Sequence, residues 1–144
     1  MKKLLLIVFV LFISCKKENT NEPERETQSP FTIKYGEVLS VKSFDLKVGF
    51  RDVITDSRCP IKYACVWAGV AVLNLWIKTS NIDTIRINPL IYGNCWKEDT
   101  ARQVSIDTIG YHITLMQLDP YPVVFGDTTH SKLDYNALVN IVKK

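Results

Sequence analysis

The chain has 144 residues, 47% of them hydrophobic and 23% charged, with 18 Lys and Arg against 15 Asp and Glu. This length and balance suit one globular domain and exclude collagen-like, coiled-coil and wholly disordered chains. The formal charge of +3 shrinks to +1 without Lys2 and Lys3 of the leader described next, which argues against a nucleic-acid partner because that needs clustered basic residues.

The N-terminus places Lys2 and Lys3 before an unbroken apolar run from Leu4 to Ile13. A helix of that length spans about 15 Å, half of a bilayer core of roughly 30 Å, so residues 1–14 read as a cleaved signal peptide and not as a membrane span. The Phe12-Ile13-Ser14-Cys15 ending resembles a bacterial lipobox. That resemblance implies a thioether-linked diacylglyceryl group on Cys15 and a membrane partner held through this N-terminal lipid; the plainer alternative makes Cys15 the last residue of an ordinary signal peptide. More than one acyl chain gives stable anchoring where a single chain does not. The expected location is the bacterial cell envelope. Lys16 lacks the acidic character that goes with inner-membrane retention in enteric bacteria, so the outer membrane is favoured.

From Lys16 to Pro30 there is no large apolar residue, and such a stretch cannot offset its own ordering entropy. Residues 15–30 are therefore expected to be the lipidated cysteine and a disordered tether, and residues 31–144 the folded domain. In that domain the dominant period is two. Strands are expected at Phe31–Tyr35, Glu37–Val41 and Phe44–Arg51, the last with apolar residues on one face only. Val70–Ile77 is apolar on both faces apart from Asn74 and reads as a central, doubly covered strand. Thr84–Asn88, Gln103–Ile106, Tyr111–Leu118 and Tyr135–Val142 complete the set. Ser131 to Asp134 has the form of a helix-opening capping box, but the alternation of Ala137, Val139 and Ile141 favours a strand there. Short strands separated by turn signals predict an all-β fold, a single antiparallel β-sandwich of immunoglobulin-like or related Greek-key type.

The most informative stretch runs from Asp56 to Gly69. Cys59 and Cys65, behind a signal peptide, are expected to form a disulfide that staples a small loop between two strands. Asp56 is placed to accept backbone hydrogen bonds in an Asx-type turn and to pair with Arg58. Trp67 is expected to cover the disulfide or the adjacent core. Cys95 is either a free thiol or a competitor for one of the two partners.

These residues resemble a family of uncharacterised bacterial secreted proteins and lipoproteins that carry a DSRCP…CVWAG signature, standing here as Asp56–Pro60 and Cys65–Gly69. The resemblance extends to Tyr35-Gly36-Glu37, to the strand from Gly110 to Leu115, and to Leu118-Asp119-Pro120-Tyr121-Pro122. It implies a shared β domain and brings no activity with it.

Sharper chemistry finds little support. Five residues separate Cys59 from Cys65, wider than the pairs of structural zinc sites, and there is no C-x-x-C redox pair, so no metal or cofactor is expected. His112 alternates along a strand and reads as structural; His130, in a polar loop, reads as solvated. Without a histidine beside a nucleophile or a paired set of carboxylates, no catalytic residue is assigned. Trp76 reads as core. Trp96, beside Gly93 and Asn94, is a candidate for an exposed contact, as are Ile61, Lys62 and Tyr63 in the stapled loop. The expected function is that of a lipid-anchored envelope protein, non-enzymatic, binding or structural, with an unidentified envelope partner. The alternative is a small envelope hydrolase, or a hydrolase inhibitor that uses loop 59–65 as a rigid plug.

Overall fold

The computed structural model describes residues 25–94, 103–127 and 129–144. Among them are strands β1 (Arg25–Thr27), β2 (Phe31–Lys34), β3 (Val38–Val41), β4 (Leu46–Asp56), β5 (Val70–Lys78), β6 (Ile85–Ile87), β7 (Leu90–Tyr92), β8 (Ser105–Thr108), β9 (Tyr111–Asp119) and β10 (Asn136–Lys143). One 3-10 turn, Lys132–Asp134, precedes β10. The first sheet has the order β1-β3-β4-β5-β6, with β7 also paired to β5; the second has the order β2-β10-β9-β8.

Period-two alternation sends one face of each strand inward. Val48 and Phe50 from β4, Leu73, Leu75 and Ile77 from β5, Ile113 and Leu115 from β9, and Val139 and Ile141 from β10 all lie in one buried cluster. Both sheets therefore share a single core, and burying it is the main stabilisation of the fold.

Several expectations are corrected here. The stretch read as tether contains a strand, because β1 pairs with β3, and the Ser29 hydroxyl accepts from the Ile141 amide at 2.7 Å. β1 runs parallel to β3, so the first sheet is not wholly antiparallel. Strand β5 is central, but only alternate residues are fully buried. Its other face is half-covered, and Trp76 there lies over Gly49, where an added Cβ would come within 2.2 Å of the indole. Trp76 thus packs outside the core. At Ser131 both sequence signals operate in turn: the capping box closes a single 3-10 turn, and a strand follows it. Residues 1–14, read as a signal peptide, and Cys15, Cys95 and Trp96 lie outside the described residues.

What matters for function is which loops share an end. β4 finishes at Asp56 and β5 begins at Val70, while β9 finishes at Asp119 and β10 begins at Asn136. The loops 57–69 and 120–135 meet, with the Ile61 amide donating to the Pro122 carbonyl at 3.1 Å.

Candidate functional site: the stapled-loop end

Arg58 is the centre of this end. Among the described residues it is the one charged residue that is buried, 4% exposed, and its guanidinium is enclosed by hydrogen bonds. Nε donates to Asp56 Oδ1 at 2.8 Å and Nη2 to Oδ2 at 2.7 Å, a two-point pairing that suits the planar fork. Nη1 donates to the Leu118 carbonyl at 2.7 Å and Nη2 to the Pro120 carbonyl at 3.0 Å. The cation lies 4.4 Å from the ring centroid of Tyr121, within cation–π range. Asp56 also accepts from the Tyr135 hydroxyl at 3.1 Å, so one buried ion pair ties together the ends of β4 and β9 and the start of β10.

The loop backbone is drawn close around this clamp. The Cys59 amide donates to the Ala68 carbonyl at 2.8 Å and the Ser57 amide to the Val70 carbonyl at 2.9 Å, which continues the β4–β5 pairing into the loop base. Gly69 has φ +66°, and a Cβ there would stand 1.8 Å from the Ser57 carbonyl oxygen. Only glycine fits this approach. The Cys59–Cys65 disulfide is present, with Cα atoms 6.0 Å apart, and it closes the loop above the clamp.

Beyond the staple the side chains turn outward. Ile61 is 63% exposed and Tyr63 48%, and Lys62 between them is also exposed. Three further exposed residues were not assigned to the site from sequence: Val66, Trp67 at 68% and Phe125 at 65%. The rings of Tyr63 and Phe125 meet at 4.7 Å between centroids. The expectation that Trp67 covers the disulfide or the core is thereby overturned. Cys59 is buried and Cys65 only partly so, and the two residues after Cys65, Val66 and Trp67, are exposed.

A cleft of about 490 Å³ opens beside the clamp, lined among others by Arg58, Pro60, Pro120, Phe125, Asp127 and Tyr135. Asp127 accepts from the Thr129 hydroxyl and amide and from the Val123 amide, bonds that hold its carboxyl down at about 2. Tyr135 is pushed up to about 12 by burial and by the adjacent Asp56 carboxylate. Both carboxylates at the cleft are engaged in holding loop backbone or the Arg58 side chain. His130 Nε2 stands 3.9 Å from Asp127. His112 lies elsewhere, exposed on β9, with Nδ1 2.7 Å from Asp107 Oδ1. Among the described residues there is no group of three or more His, Cys, Asp and Glu placed to hold a metal.

Comparison of the chain with family models, with curated proteins and with solved structures gives no match.

Proposed function

We propose that this chain is a lipid-anchored protein of the bacterial cell envelope, held at the outer membrane through Cys15, and that it works as a non-enzymatic binding module. On this reading the two sheets form a β-sandwich of immunoglobulin-like or related Greek-key type, and the chain belongs with the secreted proteins and lipoproteins that share its DSRCP…CVWAG signature. The binding face is the stapled-loop end. One observation carries the reading: large apolar side chains stand exposed on two loops whose bases are locked by a buried ion pair and a disulfide. Exposed apolar clusters mark interaction sites, and a preorganised loop loses less entropy on binding.

Growth of producing cells with labelled palmitate tests the anchor. Label is expected in the native protein and not in the Cys15→Ala variant; label that survives the substitution refutes anchoring there. Chemical crosslinking in intact envelopes tests the face. Crosslinks that persist unchanged when Ile61, Tyr63 and Trp67 are all replaced by Ser would remove the stapled loop from the binding role.

A further inference from the structure

We propose that the occupant of the stapled-loop end is the lipid bilayer itself: Ile61, Tyr63, Val66, Trp67 and Phe125 enter the headgroup region while the Lys62 ammonium meets lipid phosphate. This deepens the reading above and rests on its anchor at Cys15.

Trp and Tyr carry an apolar body and a polar edge, which is why they concentrate at membrane–water interfaces, and a lysine stem lies along apolar surface while its charge stays wet. The tip combines these residue types with the purely apolar Ile61, Val66 and Phe125. Among the described residues, the two segments that form it, 57–69 and 120–126, expose no acidic side chain. No Asp or Glu occurs between Asp56 and Asp83, and residues 120–126 are uncharged. Two acids that flank these segments are turned inward: Asp56 and Asp127 each have side chains only 7% exposed. Two segments with one exposed lysine and, among their described residues, no exposed carboxylate are complementary to anionic headgroups.

Arg25 lies level with Leu39 and Val48 across the sheet, and β1 runs parallel to β3, away from the stapled-loop end. The chain therefore enters β1 at Arg25 from the side on which β4 ends. From Val48 to Asp56 the strand advances roughly 27 Å. The ten or so residues from Cys15 to Arg25 reach at most about 35 Å when extended. A lipid on Cys15 is thus within reach of a bilayer on which the loop tips rest. The Arg58 clamp and the staple also fix the loop bases before contact, so docking has less to order.

The test uses the full-length protein, purified from its membranes and reconstituted into vesicles of phosphatidylethanolamine with a minority of phosphatidylglycerol, with or without bromine on the acyl chains. Subtracting the Trp67→Phe variant isolates Trp67 emission from that of Trp76 and Trp96. The expected result is a loss of Trp67 emission of about twofold in brominated vesicles, reversed in the Ile61→Glu and Tyr63→Glu variants. Both positions are exposed, so these variants keep the core intact. Unchanged Trp67 emission overturns the proposal, as does quenching that both Glu variants retain. Trp67 shielded from iodide in native envelopes but unquenched in brominated vesicles assigns the face to a protein and likewise overturns it. The intact mass reports the anchor separately: if Cys15 bears no diacylglyceryl group the anchor reading falls, and quenching of the same protein on added vesicles still decides the docking.

Discussion

The Tyr135 hydroxyl donates to the same Asp56 oxygen that Arg58 Nη2 holds, at 3.1 and 2.7 Å, so a tyrosine 79 residues away completes the coordination of a buried ion pair. Removing one partner of such a pair leaves an uncompensated buried charge, which costs about 3–5 kcal/mol, whereas replacing both is much milder. Asp56→Asn is therefore expected to lower the urea-unfolding free energy by about that amount. The double variant Asp56→Asn with Arg58→Met should lose clearly less than the sum of the two singles. Additive losses would show that the two side chains act independently.

The same contact predicts behaviour in alkali. Tyr135 has its folded value raised to about 12, by burial first and by the Asp56 charge second, against an ordinary 10. Above pH 10 the unfolded chain releases this proton while the folded chain keeps it, so stability falls as pH rises. The contribution is fully present below pH 10 and is lost as pH rises through about 12. Tyr135→Phe, measured by urea unfolding over this range, should show a shallower decline than the native protein.

Asp127 works at the opposite limit. Its carboxyl is held at about 2, chiefly by the Thr129 hydroxyl and then by the Thr129 and Val123 amides. A lowered folded value gives stability that is present above the unfolded value near 3.8 and is lost as pH falls through about 2. Thr129→Val removes the leading hydrogen bond. The Asp127 titration, followed by NMR of the side-chain carboxyl, should then move upward toward the ordinary range, and an unmoved midpoint would refute the assigned cause.

Gly69 is expected to tolerate no side chain. At φ +66° an L-residue is strained, and the Cβ would also overlap the Ser57 carbonyl at 1.8 Å. The Gly69 carbonyl accepts from the Gly93 amide at 3.1 Å, so displacing this backbone also loosens a second loop. Gly69→Ala should destabilise by more than about 1 kcal/mol, whereas Ala at Gly36, which also has positive φ but meets nothing within 4 Å, should cost only the backbone strain. Thermal unfolding of the two variants side by side separates the steric effect from the conformational one.

Local signals were legible in the sequence and distant ones were not. The alternation of Phe44 to Arg51 and of Ala137 to Ile141 revealed strands, because a buried face imposes period two on its own residues. The Asp56–Arg58 pairing and the Cys59–Cys65 loop were also readable, since both partners sit in one short stretch. Nothing in that stretch announced that Arg58 is buried, because the Leu118 and Pro120 carbonyls and the Tyr121 ring that enclose it lie some 60 residues away. Trp67 misled for a related reason. Large aromatics are more often buried than not, and the exposure of Trp67 depends on which distant elements reach it, which no local pattern records. The parallel entry of β1 was hidden by its polar composition, since an edge strand of three residues needs pairing partners more than apolar side chains.

The staple and the clamp divide the work at this end, and reduction separates them. A ring of about seven residues stabilises by roughly 2 kcal/mol on the chain-entropy account. The Arg58 network and the Ser57–Val70 backbone bond lie at the loop base and do not depend on the sulfur bridge for their partners. Cys59→Ala combined with Cys65→Ser should therefore cost about 2 kcal/mol in urea unfolding and leave the core folded. Amide exchange should quicken at Ile61, whose bond to the Pro122 carbonyl the staple helps to hold, and stay slow at Ser57. Uniform acceleration at both amides would mean that the disulfide supports the whole loop end, and the clamp alone would then be insufficient to fix its base.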